Sequence, residues 1–132
     1  MADKTSEGRF WLYDLRVHTV IGDRVAVCHH IEGDSFQVLG ESLVFNEGQR
    51  ISMYALAALL PLLPAKQRDT NAYDWMSTDA EIACPDPHCG GRFRIERTAK
   101  RWFSNTETTG LPEARSAPYW QKPGAIEWTF QK

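Results

Sequence analysis

Cys84-Pro85-Asp86-Pro87-His88-Cys89-Gly90-Gly91 constrains this chain more than any other stretch. It holds two of only three cysteines and one of only four histidines. Prolines fix the backbone between the thiols. Two glycines follow, and they leave room for another segment to approach closely. The alternating stretch Arg92-Phe93-Arg94-Ile95-Glu96 then reads as a strand. A turn of this kind aims two thiols at one point. Tetrahedral zinc asks for that geometry, with thiolates about 2.3 Å from the metal. Two more donors are needed, and Cys28-His29-His30 is the one other place that concentrates them.

Composition narrows the classes. The 132 residues suffice for one modest domain. A net charge of −2 offers no basic excess for nucleic acid. The cysteine count is odd, and residues 1–8 carry no apolar leader. The expectation is a reduced, cytoplasmic setting, in which spaced cysteines serve as metal ligands or catalytic groups rather than disulfides. The apolar run from Ile51 to Leu63 contains Pro61 and falls short of the roughly 20 residues a membrane span needs, so no membrane partner is expected.

Along the chain, Trp11, Tyr13, Leu15 and Val17 share one parity, which predicts a half-buried strand over residues 10–20. Gly22-Asp23 marks a turn, residues 25–28 a second strand, Gly33-Asp34 another turn and residues 35–39 a third strand. Ser52 caps a helix over residues 53–60 that is apolar on nearly every face, which predicts burial all round. Pro61 and Pro64 interrupt or end it. In the polar stretch 69–79, Tyr73, Trp75 and Met76 are the expected anchors. Residues 81–83 lead into the cysteine turn and residues 92–97 leave it, giving a hairpin with the thiols at its tip.

From Ser104 the sequence turns linker-like. Pro112, Pro118 and Pro123 are interleaved with Tyr119, Trp120, Ile126, Trp128 and Phe130. A disordered tail is poor in aromatics, so this segment is expected to wrap its own domain or dock on a partner. The predicted class is α+β: a small antiparallel sheet, one buried helix, a hairpin zinc knuckle and an extended C-terminal arm. Residues 1–103 form the zinc-stabilised domain and residues 104–132 the arm.

The predicted metal ligands are Cys28, His30, Cys84 and Cys89. His30 is preferred over His29 because alternate residues of an extended segment share a face. His88 remains an alternative donor. A blander alternative makes Cys28 a small buried hydrophobe and the other two incidental thiols. A third uses Cys28 or Cys84 as a nucleophile with His29, His30 or His88 as base. Asp34 and Asp86 fit turn chemistry better than an acid–base pair.

Two resemblances add to this. Gly33-Asp34, the apolar stretch from Tyr54 to Pro64, Asp74-Trp75 and the run from Cys84 to Pro87 together resemble an uncharacterised family of small bacterial and fungal proteins. That likeness brings no function with it. More loosely, the run from Cys28 to Asp34 and the run from Cys84 to Gly90 are similar to the gamma subunits of acetone and acetophenone carboxylases. Those subunits bind zinc inside large ATP-dependent assemblies. The likeness implies zinc on Cys28, His29 or His30, Cys84 and Cys89, and larger carboxylase subunits as partners in a hetero-oligomer. Four residues separate Cys84 from Cys89, against two in the usual knuckle. The rival expectation is a stand-alone lyase or isomerase acting on a small organic acid or phenol through Cys28, His30 and Cys84.

Overall fold

The computed structural model describes residues 8–28 and 30–110. Its centre is an antiparallel sheet of five strands: β1 (Arg9–Ile21), β2 (Ser35–Leu39), β3 (Ser42–Val44), β4 (Glu81–Ala83) and β5 (Gly91–Ser104). The order across the sheet is β3-β2-β1-β5-β4. The class is therefore α+β, with two long central strands flanked by short ones. Four helices accompany them: α1 (Met53–Leu59), α2 (Leu63–Lys66), α3 (Trp75–Thr78) and α4 (Asn105–Thr109). Among the described residues no helix is long and apolar enough to cross a membrane.

One face of the sheet builds the core. Leu15 sits opposite Val38 and Val17 opposite Phe36 in the β1–β2 register. Phe93 and Ile95 of β5 join them, and Ala55, Leu59 and Leu63 cover the cluster. Ala55 and Leu59 are four residues apart, so they fall on one side of α1. Leu12 is buried as well, against the odd parity of Leu15 and Val17, so the alternation of β1 breaks between Leu12 and Leu15.

Several expectations need correction. The buried helix is buried on one side only: Met53 is 72% exposed and Tyr54 and Leu60 also face outward. With seven residues the helix can bury just one stripe against a single sheet face. Ser52 caps it as expected, accepting the Ala55 N–H. Tyr73 and Trp75 anchor nothing, being 92% and 76% exposed. Local bonds hold that loop instead: Asn71 Oδ1 accepts the Tyr73 N–H and Asp74 Oδ1 the Met76 N–H. Residues 25–28 form no strand, because their backbone groups are engaged elsewhere, as described below.

The described chain divides into two compact units. Trp11–Arg101 holds the core and the cysteines. Residues 8–10 and 102–110 belong to the other, in which Phe10 stacks on Phe103 with ring centroids 5.6 Å apart and the Asn105 N–H bonds to Gly8 O at 2.8 Å. The expected arm is not extended at its start. Ser104 ends β5, and α4 follows, closed by Gly110 at φ 68° with its N–H on Thr106 O. A left-handed glycine after the last turn is a usual helix stop. The rest of the arm, with Trp120, Trp128 and Phe130, lies outside the described residues.

Candidate metal centre

The base of the site is the β4–β5 pair, in register with Ala83 opposite Arg92. The Cys84 N–H donates to Gly91 O at 3.0 Å and ties off the loop between the strands. Inside the loop Asp86 makes the turn. Its carboxylate accepts the His88 N–H at 2.9 Å and its carbonyl the Cys89 N–H at 3.0 Å. With Pro85 and Pro87 restricting the backbone, Cys84 and Cys89 are brought to one end of the hairpin.

The second wall is the segment after β1. The Gly22 N–H donates to Gly90 O at 2.8 Å, and the Gly90 N–H to Val25 O at 3.1 Å. The Val27 N–H donates to Cys89 Sγ at 3.3 Å, and Arg24 Nη1 to Pro87 O at 3.0 Å. These bonds replace a strand ladder, since each backbone group can serve one structure or the other. They lay residues 22–28 across the hairpin and bring Cys28 to its mouth. The His30 N–H turns back to Cys28 O at 2.7 Å, and the His30 ring meets Phe93 edge-on with centroids 5.1 Å apart.

The outcome is a cluster of four donors. The ligand atoms of Cys28, His30, Cys84 and Cys89 all lie within 4.8 Å of one another. Cys28 Sγ and Cys84 Sγ are 3.9 Å apart. A tetrahedron with 2.3 Å metal–sulfur bonds has sulfur–sulfur edges of about 3.8 Å. Cys84 and Cys89 are buried, 6% and 5% exposed, while Cys28 and His30 are half-buried. His30 Nε2 is buried with no hydrogen-bond partner. An orphaned polar atom of this kind costs about 1–3 kcal/mol, and a metal would satisfy it. These four residues lie close enough to hold a metal ion. His88 is exposed on the loop and outside the cluster. His29 lies outside the described residues.

The charges lead to the same place. Burial pushes the Cys89 thiol up, but the N–H groups of Cys28, Gly91 and Val27, with the Cys84 thiol, outweigh it and bring it down to about 7. The Gly91 N–H reaches Cys89 Sγ at 3.4 Å, beside that of Val27. Cys28 is pushed up to about 11, by burial first and then by sharing hydrogen bonds and charge with Cys84 and Cys89. The site thus favours one thiolate and resists the next, as crowded like charges must. A divalent cation reverses that resistance. Burial holds the His30 imidazole below its ordinary value, so it is neutral and available as a ligand near pH 7.

Metal uptake should therefore strengthen with pH. Between about 7 and 11 Cys28 must give up a proton to bind, and below about 7 Cys89 must as well. Affinity is expected to rise as pH rises, with a steeper slope below pH 7, in competition against a chromophoric chelator. A flat profile from pH 6 to 8 would exclude thiolate ligation. The histidines give a second check. His30→Ala is expected to weaken metal retention at least about tenfold, the order of effect of altering a metal site's immediate surroundings. His88→Ala is expected to change nothing. Equal retention in both variants would remove His30 from the ligand set.

Sequence reasoning named all four members of the cluster. It missed the supports: the Val27 N–H on sulfur, the Arg24 guanidinium on Pro87 O and the Phe93 ring beside His30. Phe93 was in principle legible, since it shares strand parity with Gly91 and so faces the same side. The soft donor set of three sulfurs and one imidazole nitrogen suits zinc among the common divalent ions. A tetrahedral ion held by all four would have no coordination position left for a substrate. No protein-family model, curated protein or solved structure matches the chain.

Proposed function

We propose that this chain is a zinc-binding accessory subunit, and that its zinc is structural. The observation that carries the reading is the three-sulfur, one-nitrogen cluster with the orphaned Nε2 of His30 at its edge. Zinc on Cys28, His30, Cys84 and Cys89 would fasten the segment after β1 to the β4–β5 hairpin. The segment after β1 buries little apolar surface of its own. The fixed loop would then present Val25, Val27 and Ile31, all exposed, with Met53 and Tyr54 exposed at the start of α1. Exposed apolar side chains in such number suit a chain that docks on another protein.

In its sharpest form the partner is the larger subunit of an ATP-dependent carboxylase of the acetone or acetophenone type. The support is the likeness of the runs from Cys28 to Asp34 and from Cys84 to Gly90 to the gamma subunits of those enzymes. Carboxylation chemistry would then reside in the larger subunits. A stand-alone lyase or isomerase would need an open metal position or a free thiol–imidazole pair, and a closed four-donor zinc site offers neither.

Two measurements test the proposal. Elemental analysis of the purified chain should find about one zinc per chain, the stoichiometry of a single four-ligand site. Co-expression with large carboxylase subunits should yield a complex that survives size-exclusion chromatography. Zinc without a complex would retain the structural site and discard the carboxylase partner. Absence of zinc would discard both.

A further inference from the structure

The three thiols of the cluster differ in access. Cys84 and Cys89 are buried. Cys28 is half-buried and lines an open, mostly apolar cavity with Ile51, Ser52, Met53 and Tyr54. They also differ in what holds them. Cys89 Sγ accepts N–H groups from Val27 and Gly91 at 3.3 and 3.4 Å. Cys28 Sγ faces Cys84 Sγ at 3.9 Å. One thiol is thus reachable, one stands directly behind it, and the third is pinned by backbone donors.

We propose that Cys28 is an oxidative modification site, at which a hydroperoxide entering through this cavity joins Cys28 to Cys84 and dismantles the metal centre, leaving Cys89 a free thiol. The inference rests on the zinc reading above and adds a regulation to that site. The Cys28 sulfur, which a bound metal would keep as thiolate, attacks one oxygen of the hydroperoxide. The O–O bond breaks, an S–OH group forms, and the second oxygen leaves with a proton as water or alcohol. The Cys84 sulfur then attacks the Cys28 sulfur. The S–S bond forms and hydroxide departs, becoming water on protonation. Two electrons pass from the two sulfurs to the peroxide. Two thiols and one hydroperoxide yield one disulfide, one water and one further water or alcohol.

Closing from 3.9 Å to a disulfide bond of about 2 Å requires the sulfurs to approach. Cys28 is half-buried and belongs to no strand, so its side chain can make the move while the bonds of residues 22–27 to the hairpin stay in place. Two of four zinc donors are consumed. A Cys84–Cys89 bridge is disfavoured because the first thiol oxidised is the accessible one, and neither of that pair is accessible.

Hydrogen peroxide added to the zinc-loaded full chain tests this. A chromophoric chelator reports released zinc. Cleavage before Asp86 separates Cys84 from Cys89 for mass spectrometry. The expected result is zinc released in step with disulfide formation, a Cys28–Cys84 link, an alkylatable Cys89, and recovery of zinc binding after reduction. Cys28→Ser should slow release at least about tenfold, since reactivity follows the exposed thiolate. If that variant fails to hold zinc, the link found in the unsubstituted chain decides. A Cys84–Cys89 link, cross-linked chains, or sulfinic acid without any disulfide would overturn the inference. Zinc measured before peroxide reports on the metal reading alone. A chain that carries zinc yet gives one of those products refutes only the oxidation.

Discussion

Cys84→Ser should strip the chain of metal and lower its melting temperature by more than about 10 °C, and a chelator should do the same to the unsubstituted chain. Cys84 is held by its own backbone. It follows β4 directly, its N–H is bonded to Gly91 O, and it is 6% exposed. Serine keeps the size but offers a hard, protonated oxygen where zinc prefers a thiolate. Zinc contributes about 10–16 kcal/mol to folding in isolated finger peptides. Here a hydrophobic core around Leu15, Val38 and Leu59 also supports the fold, so only part of that scale applies. A loss of at least about 3 kcal/mol is expected, and each kcal/mol moves the melting point of a domain of this size by roughly 4 °C. The damage should be local before it is global. Amide exchange should accelerate first at Gly22, Val27 and Gly90, whose N–H groups tie the two walls together. The β1–β2 amides should stay protected. If the chelator leaves the melting curve of the unsubstituted chain unmoved, and Cys84→Ser melts with it, the cluster holds no structural metal.

What the sequence could and could not convey follows from which signals were local. Residues 35–39 were legible as a strand from the turn before them and residues 81–83 from the cysteine turn they lead into, and both form with those limits. The Ser52 cap was legible for the same reason. β3 has three residues, too few for any period to register. The side of α1 that faces the core was hidden because the run from Met53 to Leu60 is apolar throughout, so only the sheet selects Ala55 and Leu59. Pro64 was read as a stop, yet it lies in the first turn of α2, where a proline's missing N–H costs nothing. Lys66 is buried with its Nζ on Asp79 O, a placement no lysine in a sequence announces.

The candidate site was legible in its donors because cysteine and histidine are scarce in this chain and gather in two places. Its construction was not. Residues 25–28 are apolar and β-branched like a buried strand, but the Val25 carbonyl serves Gly90 and the Val27 N–H the Cys89 sulfur, far away in the chain. Long-range claims on backbone groups leave no trace in local pattern. The Gly90-Gly91 pair did carry the hint, since two glycines in succession suggest that something approaches closely from outside.

That approach makes Gly90→Ala the most damaging of the alanine substitutions at Gly22, Gly90 and Gly91. A methyl group at Gly90 would lie 1.8 Å from the Arg24 carbonyl oxygen and 2.4 Å from its carbon. Both are backbone atoms, and neither can rotate away. Three bonds hold that backbone in place: Gly22 N–H to Gly90 O, Gly90 N–H to Val25 O and Arg24 Nη1 to Pro87 O. The segment after β1 must therefore lift off the hairpin, carrying Cys28 and His30 away from Cys84 and Cys89. Gly90→Ala should lose the metal outright and cost at least about 3 kcal/mol, in the upper range for a single substitution. Gly91→Ala separates the two consequences. Its methyl would lie 2.5 Å from His30 Cδ2, a side-chain atom that can turn aside. The fold should survive, with metal affinity reduced about 10–100-fold as the imidazole is displaced. Gly22→Ala, whose methyl would stand 3.2 Å from Gly90 O, should be the mildest of the three. Metal content and melting curves of the three variants, measured side by side, should fall in the order Gly90, Gly91, Gly22. A Gly90→Ala chain that keeps both its metal and its melting temperature would mean that the segment bearing Cys28 and His30 does not lie across the hairpin, and the four-donor site would go with it.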